Sequence, residues 1–184
     1  GWGVGKALDF IEAANKIPVP NTSSRKLSHI LSSNSVNQAP LREDLLDLVE
    51  DVELWHTPAR DAYASLPIGG HIENWPVRSK TFRLWLCFRA RIVLKFSPSG
   101  QALQDALTAI EATALFGSPE HRTHLRVARI DGHVYLDLCD SNWRAIEVRE
   151  NGWRVIHGPP AKFIRSPAMR ALPEPEAGES VDRL

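Results

Sequence analysis

Apolar residues along this chain change period three times, and the changes mark out its elements. Leu41, Leu45, Leu48, Val49 and Val52 recur at helical spacing with acids on the opposite face, and Pro40 sits where a first helical residue needs no amide donor. Residues 52–56 and 62–68 read as two strands about a turn at 57–61, the second closed by Gly69-Gly70. Ser79 is placed to cap a helix running to about Phe96, with Phe82, Trp85, Leu86, Ile92, Val93 and Phe96 predicted on its buried face. Lys80, Arg83, Arg91 and Lys95 fall opposite them, and Arg89 falls on the apolar side, where it must snorkel or pair. A second helix is predicted from a Ser97 cap and Pro98 to Gly117 and Pro119, with Leu103, Ala106, Leu107, Ile110 and Ala114 facing the core.

Beyond Thr123 the period becomes extended. Asp131-Gly132 joins strands at 125–130 and 133–138, Asn151-Gly152 joins strands at 143–149 and 153–157, and Pro159-Pro160 ends the sheet. A four-strand antiparallel meander follows, with one face expected on the two helices and the other keeping Trp143, Tyr135 or Trp153 near the surface. The fold class read from this pattern is α+β: two core helices packed on a predominantly antiparallel sheet, arranged as a hairpin, a helix pair and the meander. Residues 41–166 form the expected domain. Residues 1–40 read as an arm, with a short helix over 4–17 ended by Pro18 and Pro20 and a Ser- and Asn-rich linker after it. Residues 167–184, with Pro173, Pro175 and Gly178, read as an extended tail.

Composition narrows the class. With 184 residues and 43% hydrophobic content the chain suffices for one ordinary domain and its core. Charges interrupt every apolar run, so no stretch of ~20 residues is suited to cross a bilayer. No signal peptide is read, and two cysteines, Cys87 and Cys139, make no disulfide framework; a reducing, cytoplasmic setting is expected.

Net charge is zero, but it is sorted into blocks. Residues 41–56 hold Arg42 against six acids, whereas residues 78–95 hold Arg78, Lys80, Arg83, Arg89, Arg91 and Lys95 with no acid. Residues 121–170 hold nine Lys or Arg against five acids, and the tail from Ala171 returns to minus three. Arg78, Lys80, Arg83, Arg91 and Lys95 are therefore candidates to neutralise phosphates. Arg126, Arg129, Arg144 and Arg154 are placed to extend the track along the sheet, with Trp143 or Trp153 as a base-stacking surface. The competing reading is a solvated helix face whose charge pairs with the acidic helix at 43–50.

Other chemistry is weakly signalled. Asp137, Glu147 and Arg149 follow the outline of a metal-dependent nuclease, but that outline has Lys at its last position, and Arg does not give up its proton. Cross-strand charge pairing is the simpler account. His121, His124, His133 and Cys139 include metal-ligand types without a Cys-x-x-Cys pair. Residues 1–7, GWGVGKA, lack the earlier Gly and the Ser or Thr of a P-loop. No catalytic residue, metal or cofactor is expected.

A longer correspondence runs through the chain. Tyr135-Leu136-Asp137-Leu138, Trp143-Arg144-Ala145, Gly152-Trp153-Arg154-Val155, Pro159-Pro160, Phe163, Arg165-Ser166-Pro167 and Leu172-Pro173-Glu174-Pro175 stand in one block. His56-Thr57-Pro58, Asp61-Ala62-Tyr63-Ala64, Gly70-His71, Trp75 to Lys80, Phe82-Arg83, Trp85-Leu86 and residues 101–107 stand in another. Together they resemble the segment just ahead of the ATPase core in phage and mobile-element primase/helicase-like replication proteins. That resemblance implies a non-catalytic accessory domain that engages DNA, single- or double-stranded, or assembles with an adjoining ATPase whose nucleotide-binding machinery would follow the last residue. A structural protein-interaction domain using Trp75, Trp85 or an open sheet face is the alternative.

Overall fold

The computed structural model describes residues 42–176. The predicted arm and the end of the tail lie outside them. The chain divides into two compact units, Gly1–Arg122 and Thr123–Leu184, where the sequence reading has one domain over 41–166.

Among the described residues the first unit is three helices and a three-stranded antiparallel sheet. Helix α1 (Arg42–Asp47) is shorter than its apolar spacing predicts. The chain continues in tighter turns, with Val49 N–H on Leu46 C=O at 3.0 Å and Val52 N–H on Val49 C=O at 3.1 Å. Leu45, Leu48, Val49 and Val52 stay buried all the same.

Strands β1 (Glu53–His56) and β2 (Ala62–Ile68) pair as expected, from Glu53 opposite Ser65 to His56 opposite Ala62. Gly69-Gly70 does not end the sheet. At φ of +56° and +90° it makes a two-residue turn into a third strand, β3 (His71–Pro76), with Ile68 opposite His71; glycine takes both left-handed positions without a Cβ clash. Sequence alternation hides β3, because its inward residues include His71 and Glu73 while Ile72 faces solvent. Within β2, Ala62, Ala64 and Leu66 join the helix-side core, and the intervening Ser65 lies on the other face. There Trp55 is fully buried, donating its Nε1–H to Ser65 Oγ at 3.0 Å, and Ser65 donates in turn to Asn74 Oδ1 at 2.8 Å. Both buried polar ends are thereby satisfied.

Helix α2 (Lys80–Val93) packs on β3 and on helix α3 (Gly100–Gly117), and α3 packs on α1, β1 and β2. The cap of α3 is Ser99, whose hydroxyl accepts from Ala102 N–H at 3.2 Å, rather than the predicted Ser97. Leu103, Ala106, Leu107, Ile110 and Ala114 face the core as their spacing predicts. No helix among the described residues is long and apolar enough to cross a membrane.

The second unit holds the predicted meander. Strands β5 (Val127–Ile130), β6 (His133–Asp137), β7 (Arg144–Arg149) and β8 (Gly152–His157) pair antiparallel in chain order. Asp131-Gly132, at φ of +50° and +80°, forms the expected hairpin turn. The second turn is one residue earlier than predicted: Arg149 pairs with Gly152, so Glu150-Asn151 make the corner and Gly152, at φ of +128°, opens β8. A short parallel pair, β4 (Thr123–His124) with β9 (Lys162–Phe163), was not legible in the sequence. The meander packs Ala128, Tyr135 and Ala145 against Ala161 and Phe163 of its own unit. Tyr135, predicted near the surface, is buried there.

Helix α2 buries Leu86 completely and leaves Leu84 56% exposed two residues away. Leu86→Ala is expected to cost about 2–5 kcal/mol through lost burial and a residual cavity. Leu84→Ala is expected to stay within about 0.5 kcal/mol. Urea unfolding of both variants checks the pair.

Candidate nucleic-acid interface

Helix α2 starts on a local signal. Ser79 is extended, and its hydroxyl accepts from Phe82 N–H at 3.1 Å, filling one of the donors that a first turn leaves open. At the other end Leu94 N–H bonds Ala90 C=O at 2.8 Å and Lys95 turns to φ of +62°, a left-handed exit of the kind that ends helices. Arg91 lies in the last turn, where the negative end of the helix dipole favours a cation.

The buried face is Phe82, Trp85, Leu86, Arg89 and Ala90. This corrects the predicted face: Ile92 is 49% exposed and Phe96 lies at the exposed margin. Arg89 lies on the buried side, as its spacing predicts, and is paired there. One of its terminal nitrogens donates to both oxygens of Asp51 at 3.0 and 3.2 Å, and its guanidinium carbon lies 5.2 Å from the centroid of the Trp85 ring. The outward face then presents Lys80, Arg83 and Arg91, with Lys95 just beyond the helix, all exposed. None of the four makes an ion pair or side-chain hydrogen bond among the described residues. Leu84 and Ile92 stand exposed between them. At 1.5 Å per residue, Lys80 to Arg91 spans ~16 Å of helix.

Arg78 is placed differently. Its guanidinium holds Glu111 of α3 through two nitrogens and donates to Thr108 Oγ1 at 3.2 Å. It ties the start of α2 to α3 while its charge is met within the unit. Burial pushes the Cys87 thiol up, with the nearby Arg83 pulling the other way, so the thiol stays protonated and unreactive.

In the second unit the candidate arginines serve the sheet, except Arg129, which is exposed. Arg126 donates to the carbonyl oxygens of Asp137 at 3.2 Å and Arg170 at 2.9 Å. Arg144 holds Asp140 at 2.6 Å and reaches both oxygens of Glu174, at 3.3 and 3.1 Å. With Leu172 N–H on Leu138 C=O at 2.8 Å, these bonds fasten the first part of the predicted tail to the sheet. Arg154 holds Glu147 at 2.6 Å. Neighbours along a strand point to opposite faces, so exposed Trp153 and Arg154 lie on different sides of β8 and form no joint stacking platform. Trp143 instead lies under the Arg165 guanidinium, 3.9 Å from ring centroid to Cζ.

The two carboxylates of the nuclease outline are also engaged. Asp137, buried, takes two bonds from Arg165 at 2.9 and 2.6 Å and one from Cys139 N–H at 2.9 Å. Glu147, also buried, accepts from Arg149 at 2.8 Å, Arg154 at 2.6 Å and the Tyr135 hydroxyl at 3.1 Å. A metal ion there would have to displace guanidinium groups from both acids. Among the described residues no group of three His, Cys, Asp or Glu side chains is arranged to hold a metal; His121 lies by Glu53 and Trp55, and His124 lies edge-on to Phe163.

The exposed Leu84 and Ile92 within the cationic face are what sequence reasoning missed. The apolar run at the helix end draws Ile92 and Phe96 into the predicted buried face; Arg89 belongs on that side, as its spacing predicts, but its partner, Asp51, lies 38 positions away. Comparison with protein-family models, curated proteins and solved structures gives no match to this chain.

Arg149 above all lowers the pKa of Glu147, with Arg154 and Tyr135 adding to it against the opposing effect of burial, from an ordinary 4.5 to about 2. A lowered carboxylate pKa stabilises the fold above the unfolded value and loses that contribution as pH falls through the folded one. Glu147→Gln is expected to lower the denaturant midpoint of the second unit near neutral pH, and the gap from wild type is expected to close between about pH 4.5 and about 2. Trp fluorescence during denaturant titration at several pH values reads this.

Proposed function

We propose that this chain is a non-catalytic module that engages DNA through its phosphates, using the outward face of α2. The observation that carries the reading is the set of four exposed cations, Lys80, Arg83, Arg91 and Lys95, with no acid between residues 78 and 95. A chain of net charge zero attracts no polyanion by its overall charge. Sorting supplies the attraction, since the acids lie elsewhere and exposed Arg78 and buried Arg89 already have carboxylate partners. The α2 face has no exposed tryptophan or tyrosine, so the contacts it offers are electrostatic and independent of base sequence. Arg126, Arg144 and Arg154 are assigned to holding the second unit together, and Trp153 is removed from the DNA track. The setting implied by the resemblance is an accessory domain beside a replication ATPase of the primase/helicase kind, in the cytoplasm, with hydrolysis performed elsewhere.

A second reading is favoured by Leu84 and Ile92, whose exposure among the cations suits an acidic, partly apolar protein segment. The two readings separate by variant. Fluorescent single- and double-stranded DNA is titrated at salt between about 50 and 200 mM. Wild-type affinity is expected to fall steeply with salt, and Arg83→Ala with Arg91→Ala is expected to reduce the log–log slope by roughly 2, about one per lost phosphate contact. Leu84→Ser is expected to leave both affinity and slope unchanged. Absence of binding at the lowest salt contradicts the DNA reading and leaves the protein-segment reading.

A further inference from the structure

The meander has two faces of different character. Ala128, Tyr135, Ala145 and Ile156, on one face, pack with Ala161 and Phe163. The register sets the other face in two rows across all four strands. Val127, Leu136, Ile146 and Val155 stand opposite one another in the first, and Arg129, Val134, Val148 and Trp153 in the second. Seven of these eight side chains are apolar and neither row contains an acid. Val127 is 56%, Val148 41% and Trp153 44% exposed, Arg129 is exposed with no ion pair among the described residues, Val134, Leu136 and Val155 are half-buried, and Ile146 at the centre is buried among its neighbours on the sheet. An antiparallel sheet ordinarily covers one face and presents polar residues on the other; here the open face is built like an inner one, and such patches mark interaction sites.

We infer that this face pairs with the same face of a second copy of the chain. The rows carry the argument. A two-fold axis lying between the sheets and parallel to the strands exchanges β5 with β8 and keeps each row opposite its own counterpart. Val127 then meets the partner's Val155, Leu136 meets the partner's Ile146, and Val134 meets the partner's Val148. Arg144, next along β7 on this face, stands outside the rows and is held by Asp140 and Glu174. The single charge of the two rows, Arg129 at one end of its row, meets the partner's Trp153 at the other end. That is a cation over an aromatic ring, formed twice by symmetry. The twist of each sheet is accommodated by the small crossing angle of aligned sandwiches, with side chains filling the ~10 Å between sheets. Four strand spacings by two side-chain repeats give on the order of 300 Å² per copy, less than the ~800 Å² per partner of a stable complex. The pairing is therefore weak and concentration-dependent. It does not rest on the DNA reading.

Sedimentation equilibrium of the full chain without nucleic acid, from about 5 to about 500 µM, tests this. The weight-average mass of the wild type is expected to rise from 20.6 kDa towards twice that value. Val148→Lys, at an exposed position in the middle of the second row, is expected to raise the dissociation constant by about tenfold or more with unchanged far-UV circular dichroism. Trp153→Arg sets two cations against each other at both ends and is expected to weaken pairing equally. Adding Arg129→Trp to it restores the complementarity with the roles exchanged, and is expected to restore pairing. A wild type that stays at 20.6 kDa throughout overturns the inference and leaves the face to a different protein. Association that is indifferent to both single variants, or a double variant no better than Trp153→Arg, overturns it as well.

Discussion

The ion pair between Arg89 and Asp51 is the contact on which the basic helix depends. Helix α2 contains no acid, and one of its cations falls in the middle of the side that must be buried. Unpaired, a guanidinium there would carry a desolvation cost of several kcal/mol. Asp51 meets it with both oxygens and the Trp85 ring lies beside it, so the helix can seat Phe82, Leu86 and Ala90 in the core. Seating those residues determines which cations remain outside. Lys80, Arg83, Arg91 and Lys95 are exposed because they lie opposite the side that carries Phe82, Trp85, Leu86 and Arg89.

The second unit uses its charges differently. Asp137 and Glu147 are buried acids in a small sheet, and each is surrounded by guanidinium groups: Arg165 on one, Arg149 and Arg154 on the other. A buried carboxylate is tolerable when opposite charge and hydrogen bonds accompany it. Arg144, Arg149, Arg154 and Arg165, half of the arginines that make residues 121–170 basic in composition, are thus counter-ions within the unit. Composition alone would count them towards a nucleic-acid surface, whereas the exposed cations of α2 have no such partners among the described residues.

What the sequence revealed follows from the range over which each signal acts. The Ser79 cap, the Asp131-Gly132 turn and the core face of α3 are decided within a few residues, and all three stand where the pattern places them. The α+β class follows from them. Strand β3 escaped because its inward positions include His71 and Glu73, whose side chains bond each other at 2.9 Å, so its alternation is not one of apolar and polar. The phase of α2 was legible, Arg89 on its apolar side included; what escaped is its partner, Asp51, and the exposure of Ile92 and Phe96 at the helix end. The division of the sheet arginines from Trp153 escaped for a simpler reason: the turn before β8 lies one residue earlier than the Asn-Gly pair suggests, and strand neighbours face opposite ways.

Lysine reactivity tests the central claim, that DNA lies along the outward face of α2, most directly. Acetylation of the protein with and without DNA, read by mass spectrometry, compares Lys80 and Lys95 on that face with Lys162 in β9. The account predicts that DNA protects Lys80 and Lys95 and leaves Lys162 unchanged. Protection of Lys162 with Lys80 and Lys95 unaffected would contradict it.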